Sequence, residues 1–362
     1  MKKLYLVLLV LVICFGTAWA ALVDDLLSKD ADIRAKANNK LSSLPVNAKV
    51  EVVPALSAVI KQQLNPETSF AIDALRSIGN PAAGLMLEKL RSEEFMDRSP
   101  FMSVIKDLGP EVVAEIYPYL KNNDKYYRVA AAVTLISLKA KMDQAAGILG
   151  DILLSDEKGA IVAVCVYNLG KVEDLKPELI ALIVDKIGNK DEVVSVAAIN
   201  ACGELGPKAK IAVKKLIEIV KAENYDQRLM SVKALSKIGE EAFECLPVLL
   251  TLIKSNDVTI VHNIINAIEG IGVDPGKCVP ALQLLLRSED YSIRASAASA
   301  MGSFGNVASE AVPALAETLK NSVEDYEQTK ILQALEMIGT EAAMIHVKVY
   351  KDKIKPKLNK RK

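Results

Sequence analysis

The chain has 362 residues, of which 51% are hydrophobic and 5% aromatic, and its 45 basic and 45 acidic side chains give a formal net charge of zero. This composition is typical of a soluble helical protein and excludes a low-complexity chain. Lys2 and Lys3 contribute +2 and Lys351–Lys362 contribute a net +6, so the residues between them carry −8. This negative charge argues against a groove for nucleic acid.

The first twenty residues have the three parts of a secretory signal peptide. Lys2 and Lys3 precede an apolar run from Leu4 to Phe15, and Ala18 and Ala20 have the small-residue spacing of a cleavage site. The run is too short to span a membrane, which takes about 20 residues. We therefore predict cleavage after Ala20 and a periplasmic or secreted protein. The alternative is a buried N-terminal helix.

Most of the remaining chain repeats one unit, whose clearest copy runs from Tyr291 to Lys320. Each copy predicts two helices, and the second stops at an apolar residue followed by glycine, which tolerates a positive φ at a helix C-terminus. Two copies end without glycine, at Leu44–Pro45 and at Leu138–Lys139. The glycine stops are Gly79, Gly109, Gly170, Gly206, Gly239, Gly272, Gly305 and Gly339.

Two polar positions recur at fixed distances before these stops. Aspartate lies fifteen residues before the stop, where we predict that its carboxylate caps the second helix by accepting bonds from free backbone N–H groups. Arginine lies eleven residues before the stop, and we predict a salt bridge back to the aspartate. The aspartates are Asp30, Asp124, Asp191, Asp257 and Asp290, and the arginines are Arg34, Arg98, Arg128, Arg228 and Arg294.

These copies resemble the HEAT repeat family in its short bacterial form. The resemblance is carried by the aspartate, an Arg-x-x-Ala string, the closing apolar-Gly pair and a recurring apolar-proline pair. Those proline pairs are Val53-Pro54, Leu246-Pro247, Val279-Pro280 and Val312-Pro313. The resemblance covers residues 22–354 and implies an all-α fold, an α-solenoid (superhelix) of about ten antiparallel helix pairs.

The resemblance also implies how the chain is organised. Residues 21–354 are expected to form one continuous stack without a domain boundary, closed by a lone capping helix over Glu341–Ile354. Pro100 and Pro118 depart from the family pattern and predict kinked or shortened helices. Residues 355–362 are a basic tail that we expect to be disordered.

The sequence offers little for metal or catalytic chemistry. His262 shares a predicted helix face with Asn266 and Glu269, which is an incomplete metal site and favours a solvated surface. The HEAT-like hydroxylases bind iron through His-Glu pairs, and this sequence has no His-Glu dipeptide. We predict no cofactor, no metal and no enzymatic activity.

Four cysteines remain after the predicted cleavage, namely Cys165, Cys202, Cys245 and Cys278. Export makes disulfides chemically accessible, and Cys165 with Cys202 is the better-placed pair. All four occupy positions where a small residue would pack, so we favour free, buried thiols.

In HEAT-type stacks the second helices line the concave side, which the family uses to hold partners. The position six residues before each stop is expected to face this groove, and only Val133 and Val164 are apolar there. With Ile136 and Tyr167 they predict an apolar contact patch. The alternative is that these two copies are rotated and bury the four residues as core. The polar residues assigned to partner binding are Asn200, Lys233, Asn266 and Glu269.

The sequence therefore predicts a non-enzymatic protein-binding or scaffolding module of the bacterial cell envelope. Its expected partner is another protein, with no nucleic acid and no transmembrane segment. The basic tail favours either solubility or weak contact with an anionic surface. One alternative is an accessory to an enzyme, because the HEAT-like lyases resemble this repeat. Another is a structural component of an envelope assembly.

Overall fold

The computed structural model of the protein describes residues 17–61, 66–90 and 99–354. The chain divides into two compact units, Met1–Leu175 (unit 1) and Lys176–Lys362 (unit 2). Most of the predicted signal peptide, Arg98 and the basic tail lie outside the described residues. The expectation of one continuous stack over residues 21–354 stays a prediction.

Unit 1 has five helix pairs in its described part, with a short helix α3 (Val46–Val50) before the second pair. The first helices are α1 (Thr17–Leu26), α4 (Val53–Lys61), α6 (Ala83–Leu90), α8 (Val112–Ile116) and α10 (Met142–Leu154). The second helices are α2 (Ala31–Ser43), α5 (Glu67–Ile78), α7 (Pro100–Asp107), α9 (Lys125–Ser137) and α11 (Ala160–Leu169). Pro100 starts α7, and Pro118 lies in a 3₁₀ segment after α8, so both prolines shorten their helices as predicted.

Unit 2 repeats the arrangement with five more pairs in its described part. The first helices are α12 (Pro177–Asp185), α14 (Val213–Lys221), α16 (Leu246–Leu252), α18 (Pro275–Leu285) and α20 (Val312–Asn321). The second helices are α13 (Glu192–Leu205), α15 (Tyr225–Ile238), α17 (Val258–Ile271), α19 (Tyr291–Ser303) and α21 (Asp325–Ile338). A lone helix, α22 (Glu341–Val349), follows and continues as a π-helical turn, Tyr350–Ile354. Because the described ranges contain helix pairs and no strand, the predicted all-α solenoid fold is confirmed.

Glycine ends most of the second helices with a backbone conformation that other residues avoid. Seven of the eight predicted glycine stops have a positive φ, from 57° at Gly206 to 83° at Gly109. The prediction is wrong for Gly170, whose φ of −59° is helical. In one of the two copies that lack a glycine, Lys139 takes the same position with a φ of 53°. A lysine there carries backbone strain that glycine would not.

The predicted aspartate caps are confirmed at all five positions. The carboxylate of Asp290 caps α19 by accepting hydrogen bonds from the backbone N–H groups of Ser292 (2.7 Å) and Ile293 (3.4 Å). Asn224 caps α15, in a copy that has no aspartate. The other helices capped in this way start after Asp30, Asp124, Asp191 and Asp257. Each such cap stabilises a helix by about 1 kcal/mol.

Among the described residues, Arg34 and Arg294 do not form the predicted salt bridge to the cap aspartate, and for these two arginines the prediction is wrong. Arg294 Nη1 donates to the backbone carbonyls of Ser288 (2.7 Å) and Glu289 (2.9 Å), in the turn before the cap. A carbonyl six residues earlier is also the acceptor for Arg34, Arg128 and Arg228. The cap carboxylates already accept from N–H groups, whereas carbonyls at the end of a first helix have no intrahelical partner, so the guanidinium groups satisfy the carbonyls.

Two of these arginines also contact the next copy. Arg294 Nε and Nη2 donate to the two carboxylate oxygens of Glu327 (2.6 and 2.9 Å), which is fully buried and also accepts from Ser322 Oγ (2.6 Å). The guanidinium of Arg34 lies 3.9 Å from the centre of the Phe70 ring. A buried carboxylate is stable only when paired and hydrogen-bonded. Arg294 and Glu327 therefore fix the register between α19 and α21.

Neighbouring second helices in unit 2 approach each other closely, and glycine lies at the contact. A Cβ added to Gly302 in α19 would lie 2.7 Å from Ala334 Cα in α21. One added to Gly270 in α17 would lie 2.8 Å from the backbone oxygen of Ser236 in α15. Both distances are far below the contact distance of about 3.5–4.0 Å between carbon atoms. These two glycines are therefore required by packing rather than by their φ angles.

Gly302→Ala is expected to destabilise the protein by about 1–3 kcal/mol, because the added methyl group forces α19 and α21 apart. Denaturant unfolding followed by circular dichroism measures this change. Gly147→Ala is the matched control, since nothing lies within 4 Å of a Cβ added to Gly147 inside α10. That control is expected to stabilise its helix by about 1 kcal/mol. Equal stability of Gly302→Ala and the parent protein would contradict the close approach.

Candidate functional site

Each second helix of unit 2 presents one polar side chain at the position six residues before its stop. We call this row the second-helix face, and it consists of Asn200, Lys233, Asn266, Ser299 and Gln333. Ser299 is half-buried and the other four are exposed. Within the part of the chain that the structure describes, none of the five side chains is engaged in a hydrogen bond or an ion pair. These side chains therefore make no polar contact that stabilises the fold.

One residue of this face, Lys233, is charged, and Glu269 lies beside the face about one helical turn after Asn266. Lys233 lies on α15 and Glu269 lies on α17, and both are exposed. Nearby, Lys237 Nζ pairs with a carboxylate oxygen of Glu204 at 2.6 Å. The residues assigned to partner binding in unit 2, including Asn200 and Glu269, are thus solvent-accessible, and their role in binding stays a prediction.

The predicted apolar patch of unit 1 is not exposed, so this prediction is corrected. Val133 is 0% exposed, Ile136 is 4% exposed and Val164 is 9% exposed, while Tyr167 is half-buried. The physical reason is that α9 is covered on all sides, with every residue from Val129 to Ile136 buried. A helix that is apolar all round belongs to a core. The alternative, burial as core, is correct for Val133, Ile136 and Val164, and Tyr167 is only half-buried.

His262 bridges two copies through serine side chains. Its Nε2 lies 2.9 Å from Ser292 Oγ and its Nδ1 lies 3.1 Å from Ser296 Oγ. Ser292 Oγ also donates to the carboxylate of Asp290 (2.6 Å), and this hydrogen bond lowers the pKa of Asp290. Since an ionised carboxylate only accepts, the neutral ring must donate from Nε2 to Ser292 and accept at Nδ1 from Ser296. Both ring nitrogens are therefore occupied.

The four cysteines are free and buried, which confirms the favoured prediction. Burial raises the pKa of Cys202 and of Cys245 to about 12 and that of Cys278 to about 11. Burial also raises the pKa of Cys165. Because the thiolate rather than the thiol is the nucleophile, these side chains are chemically inert.

The described ranges contain no group of three or more His, Cys, Asp or Glu side chains that could hold a metal ion. Nor does any helix within those ranges combine the length and apolar character needed to cross a membrane.

An open groove of about 560 Å³ lies between α18 and α20, with Arg287 and Glu317 among its lining residues. The buried ion pair of Arg294 and Glu327 also lines this groove, and that pair has a structural role.

A second exposed row in unit 2 was not predicted. One apolar or aromatic side chain lies within two residues of the N-cap of each second helix, at 40% to 58% exposure. We call this the first-turn row, and it consists of Val193, Tyr225, Val258, Tyr291 and Tyr326. The signal in the sequence was an apolar residue just after the capping position in successive copies, where helices favour acidic residues.

Comparison with known proteins supports the repeat architecture. Residues 246–336 match a family model described as HEAT repeats, so the resemblance is confirmed for HEAT-like repeats in this segment. The chain is similar to YibA of Escherichia coli, at 17% identity and a TM-score of 0.51, over 77% of this chain and 98% of that one. It is also similar to a chain in a structure of Kap95p with RanGDP, at 16% identity and a TM-score of 0.51, over 94% of this chain and 47% of that one.

A further similarity is to the complex of CpcE and CpcF of phycocyanin lyase from Nostoc sp. PCC7120. It has 17% identity and a TM-score of 0.37, over 66% of this chain and 93% of that one. No curated protein matches the sequence. At these identities the two structures with TM-scores of 0.51 show the fold alone.

When the His262 ring is neutral, its proton is expected on Nε2, because the Ser292 hydroxyl can only accept a hydrogen bond from the ring. A long-range ¹H–¹⁵N correlation spectrum of the ring identifies the protonated nitrogen. Ser292→Ala removes that acceptor and is expected to raise the Nδ1–H fraction. Ser296→Ala is the matched control and is expected to leave the proton on Nε2. A wild-type ring protonated at Nδ1 would contradict the network.

Proposed function

We propose that this chain is a non-enzymatic protein-binding repeat protein of the bacterial cell envelope, which holds another protein on the second-helix face of unit 2. The observation that carries the proposal is the row of five polar side chains that the fold leaves unused. Side chains that neither stabilise the fold nor bind each other are the ones that a partner can engage without unfolding the protein.

The geometry of the row suits a protein partner better than a small molecule. Packed helices lie about 8–10 Å apart, so five copies present a track of roughly 40 Å with one polar side chain per step. Small ligands instead bind in concave sites that enclose most of their surface. The track carries amides at Asn200, Asn266 and Gln333 and a positive charge at Lys233, and the negative charge of Glu269 lies beside it. Hydrogen bonds and charges of this kind favour a specific rather than a purely apolar interface.

Three of the five copies lie within the segment that matches HEAT repeats, namely those that contribute Asn266, Ser299 and Gln333.

The proposal that the chain is not an enzyme is supported by the state of its reactive side chains. The four thiols are buried and have raised pKa values, and the ring nitrogens of His262 both bind serine. Neither group is positioned as a nucleophile or a general base.

Export is proposed from residues 1–20, most of which lie outside the described ranges. Removal of the segment up to Ala20 would leave the main apolar contacts of α1 in place, because Leu22, Val23 and Leu26 are 2%, 1% and 1% exposed. The mature chain would therefore keep the residues that seal the first helix pair. Cleavage would also remove Thr17–Ala20, the first turn of α1, in which Ala20 is 7% exposed.

In-cell photo-crosslinking tests the binding face. A photoreactive residue at Asn266 is expected to give one dominant protein adduct, because that position projects from the face without structural contacts. Thr251, exposed on the first helix α16 of the neighbouring layer, is the matched control position and is expected to give none. Mass spectrometry of the adduct identifies the partner.

A loss-of-binding variant completes this test. Lys233→Glu combined with Asn200→Arg is expected to lower the yield of that adduct about tenfold or more, by introducing repulsive contacts at about 1–2 kcal/mol. Circular dichroism is expected to be unchanged, since surface substitutions of unused side chains alter stability by about 0.5 kcal/mol or less. Equal adducts from Asn266 and Thr251, or an unaffected yield in the variant, would contradict the proposed face.

The exported form is expected to begin at Ala21, because Ala18 and Ala20 provide the small side chains that signal peptidase requires. N-terminal sequencing of protein from the periplasmic and secreted fractions checks this. Ala18→Arg with Ala20→Arg is expected to leave the uncleaved precursor in the membrane fraction. Recovery of intact chain that starts at Met1 from the exported fraction would contradict the cleavage.

A further inference from the structure

We infer that a cavity in unit 1 binds a small amphipathic carboxylate, a molecule with an apolar body and one negative charge. We call it the tyrosine cavity, and it lies between the 3₁₀ segment Tyr117–Lys121, which follows α8, and the helix α10. Its volume is about 420 Å³. The inference goes beyond the proposed function, which concerns unit 2, and does not depend on it. The lining residues are Tyr117, Pro118, Leu120, Lys121, Gln144 and Ile148.

The tyrosine cavity lies where the sequence departs from the repeat pattern. Pro118 ends α8 early, and the chain continues as a 3₁₀ segment, which is more tightly wound than an α-helix. The glycine stop is also missing here, and both Lys139 and Lys141 have a positive φ, of 53° and 50°. A positive φ is unfavourable for lysine, and backbone strain of this kind is common at ligand sites.

The walls of the cavity suit an apolar body. The ring of Tyr117 and the aliphatic lining side chains provide most of the surface. Sites for small molecules typically have volumes of about 300–1,000 Å³, with apolar walls and a few polar groups that fix the orientation of the ligand. The polar groups here are the Tyr117 hydroxyl, the Gln144 amide and the Lys121 ammonium. In the described structure none of these three groups forms a hydrogen bond or an ion pair, so all three are available to a ligand.

The charge around the cavity favours an anion. Lys121 lines the cavity, and Lys141 Nζ lies 5.7 Å from the centre of the Tyr117 ring. The helix α10 begins at Met142, so its dipole adds a partial charge of about +0.5 on the same side. The described lining includes no acidic side chain, and the exposed Asp143 forms no ion pair with either lysine in the described structure. A carboxylate is therefore attracted to this site, whereas an amine is repelled.

The two strained lysines have different side-chain partners. Lys139 Nζ lies 3.3 Å from a carboxylate oxygen of Glu173, and both side chains are exposed. Lys141 instead contacts the ring of Tyr117, which belongs to the tyrosine cavity. A carboxylate beside that ring can pair with Lys141 while its apolar body fills the cavity. The two positions thus share a backbone conformation and differ in their relation to the cavity, which provides a matched control.

Isothermal titration calorimetry of the full-length chain with sodium octanoate tests the inference. We expect saturable binding at one site. Octylammonium has the same apolar chain with the opposite charge, and acetate has the same charge without the chain. Neither of these two compounds is expected to bind, because the site requires both an apolar body and a negative charge.

Two variants locate the binding at the tyrosine cavity. Lys141→Gly removes a cation and Gln144→Glu adds an anion, and each is expected to lower the affinity for octanoate about fivefold. Neither change is expected to destabilise the fold, because glycine tolerates the positive φ and a glutamate in the first turn of α10 suits the helix dipole. Lys139→Gly is the matched control, which relieves the same type of strain and is expected to leave the affinity unchanged.

The inference is overturned if octanoate does not bind, if octylammonium binds equally well, or if both variants keep the affinity of the parent protein. Analytical ultracentrifugation separates a further outcome from these. A dimer that Ile148→Asp dissociates, found in place of octanoate binding, would overturn the inference and assign the tyrosine cavity to a contact between two copies of the chain.

Discussion

Each helix end leaves up to four backbone groups without an intrahelical partner, and a protein built from short helices has many such ends. The turn between the first and second helix of a copy satisfies both sets of groups. A carboxylate such as that of Asp290 accepts from the N–H groups, and a guanidinium such as that of Arg294 donates to the carbonyls. Both side chains lie within one short stretch, so the turn can be repeated without help from distant residues. The turn also sets the direction of the second helix and hence which of its residues reach solvent.

The same side chains connect one copy to the next. Arg294 binds carbonyls in its own turn and Glu327 in the following copy. In that last copy Gln328 replaces the arginine and donates to the carbonyl six residues earlier, as the arginines do. Tyr350, just after the lone helix, donates to the other end of the Gln328 amide. The end of unit 2 is thus closed by the same type of contact that joins its copies.

Features whose cause lies nearby in the sequence were predictable, including the helix pairs, the aspartate caps and most glycine stops. The acceptor for Arg294 was not predictable, because a backbone carbonyl carries no residue identity that a sequence can show. The exposure of Asn200 and Lys233 followed from repeat phase alone, since their copies have regular stops. The predicted exposure of Val133 was wrong, because α9 is covered on all sides. That coverage depends on tertiary packing and not on spacing within the helix.

The two exposed rows of unit 2 differ in how tightly they are tied to the fold. Exposed side chains of the second-helix face can be exchanged at little cost in stability, since in the described structure they make no hydrogen bond or ion pair. The first-turn row is constrained, because a hydrogen bond to Asp257 raises the pKa of Tyr225 and so links that hydroxyl to the next cap. A substitution at Tyr225 therefore affects both a surface and a turn. Side chains of the second-helix face can consequently change while the first-turn row, and the turns that it covers, stay the same, as the proposed binding role of that face requires.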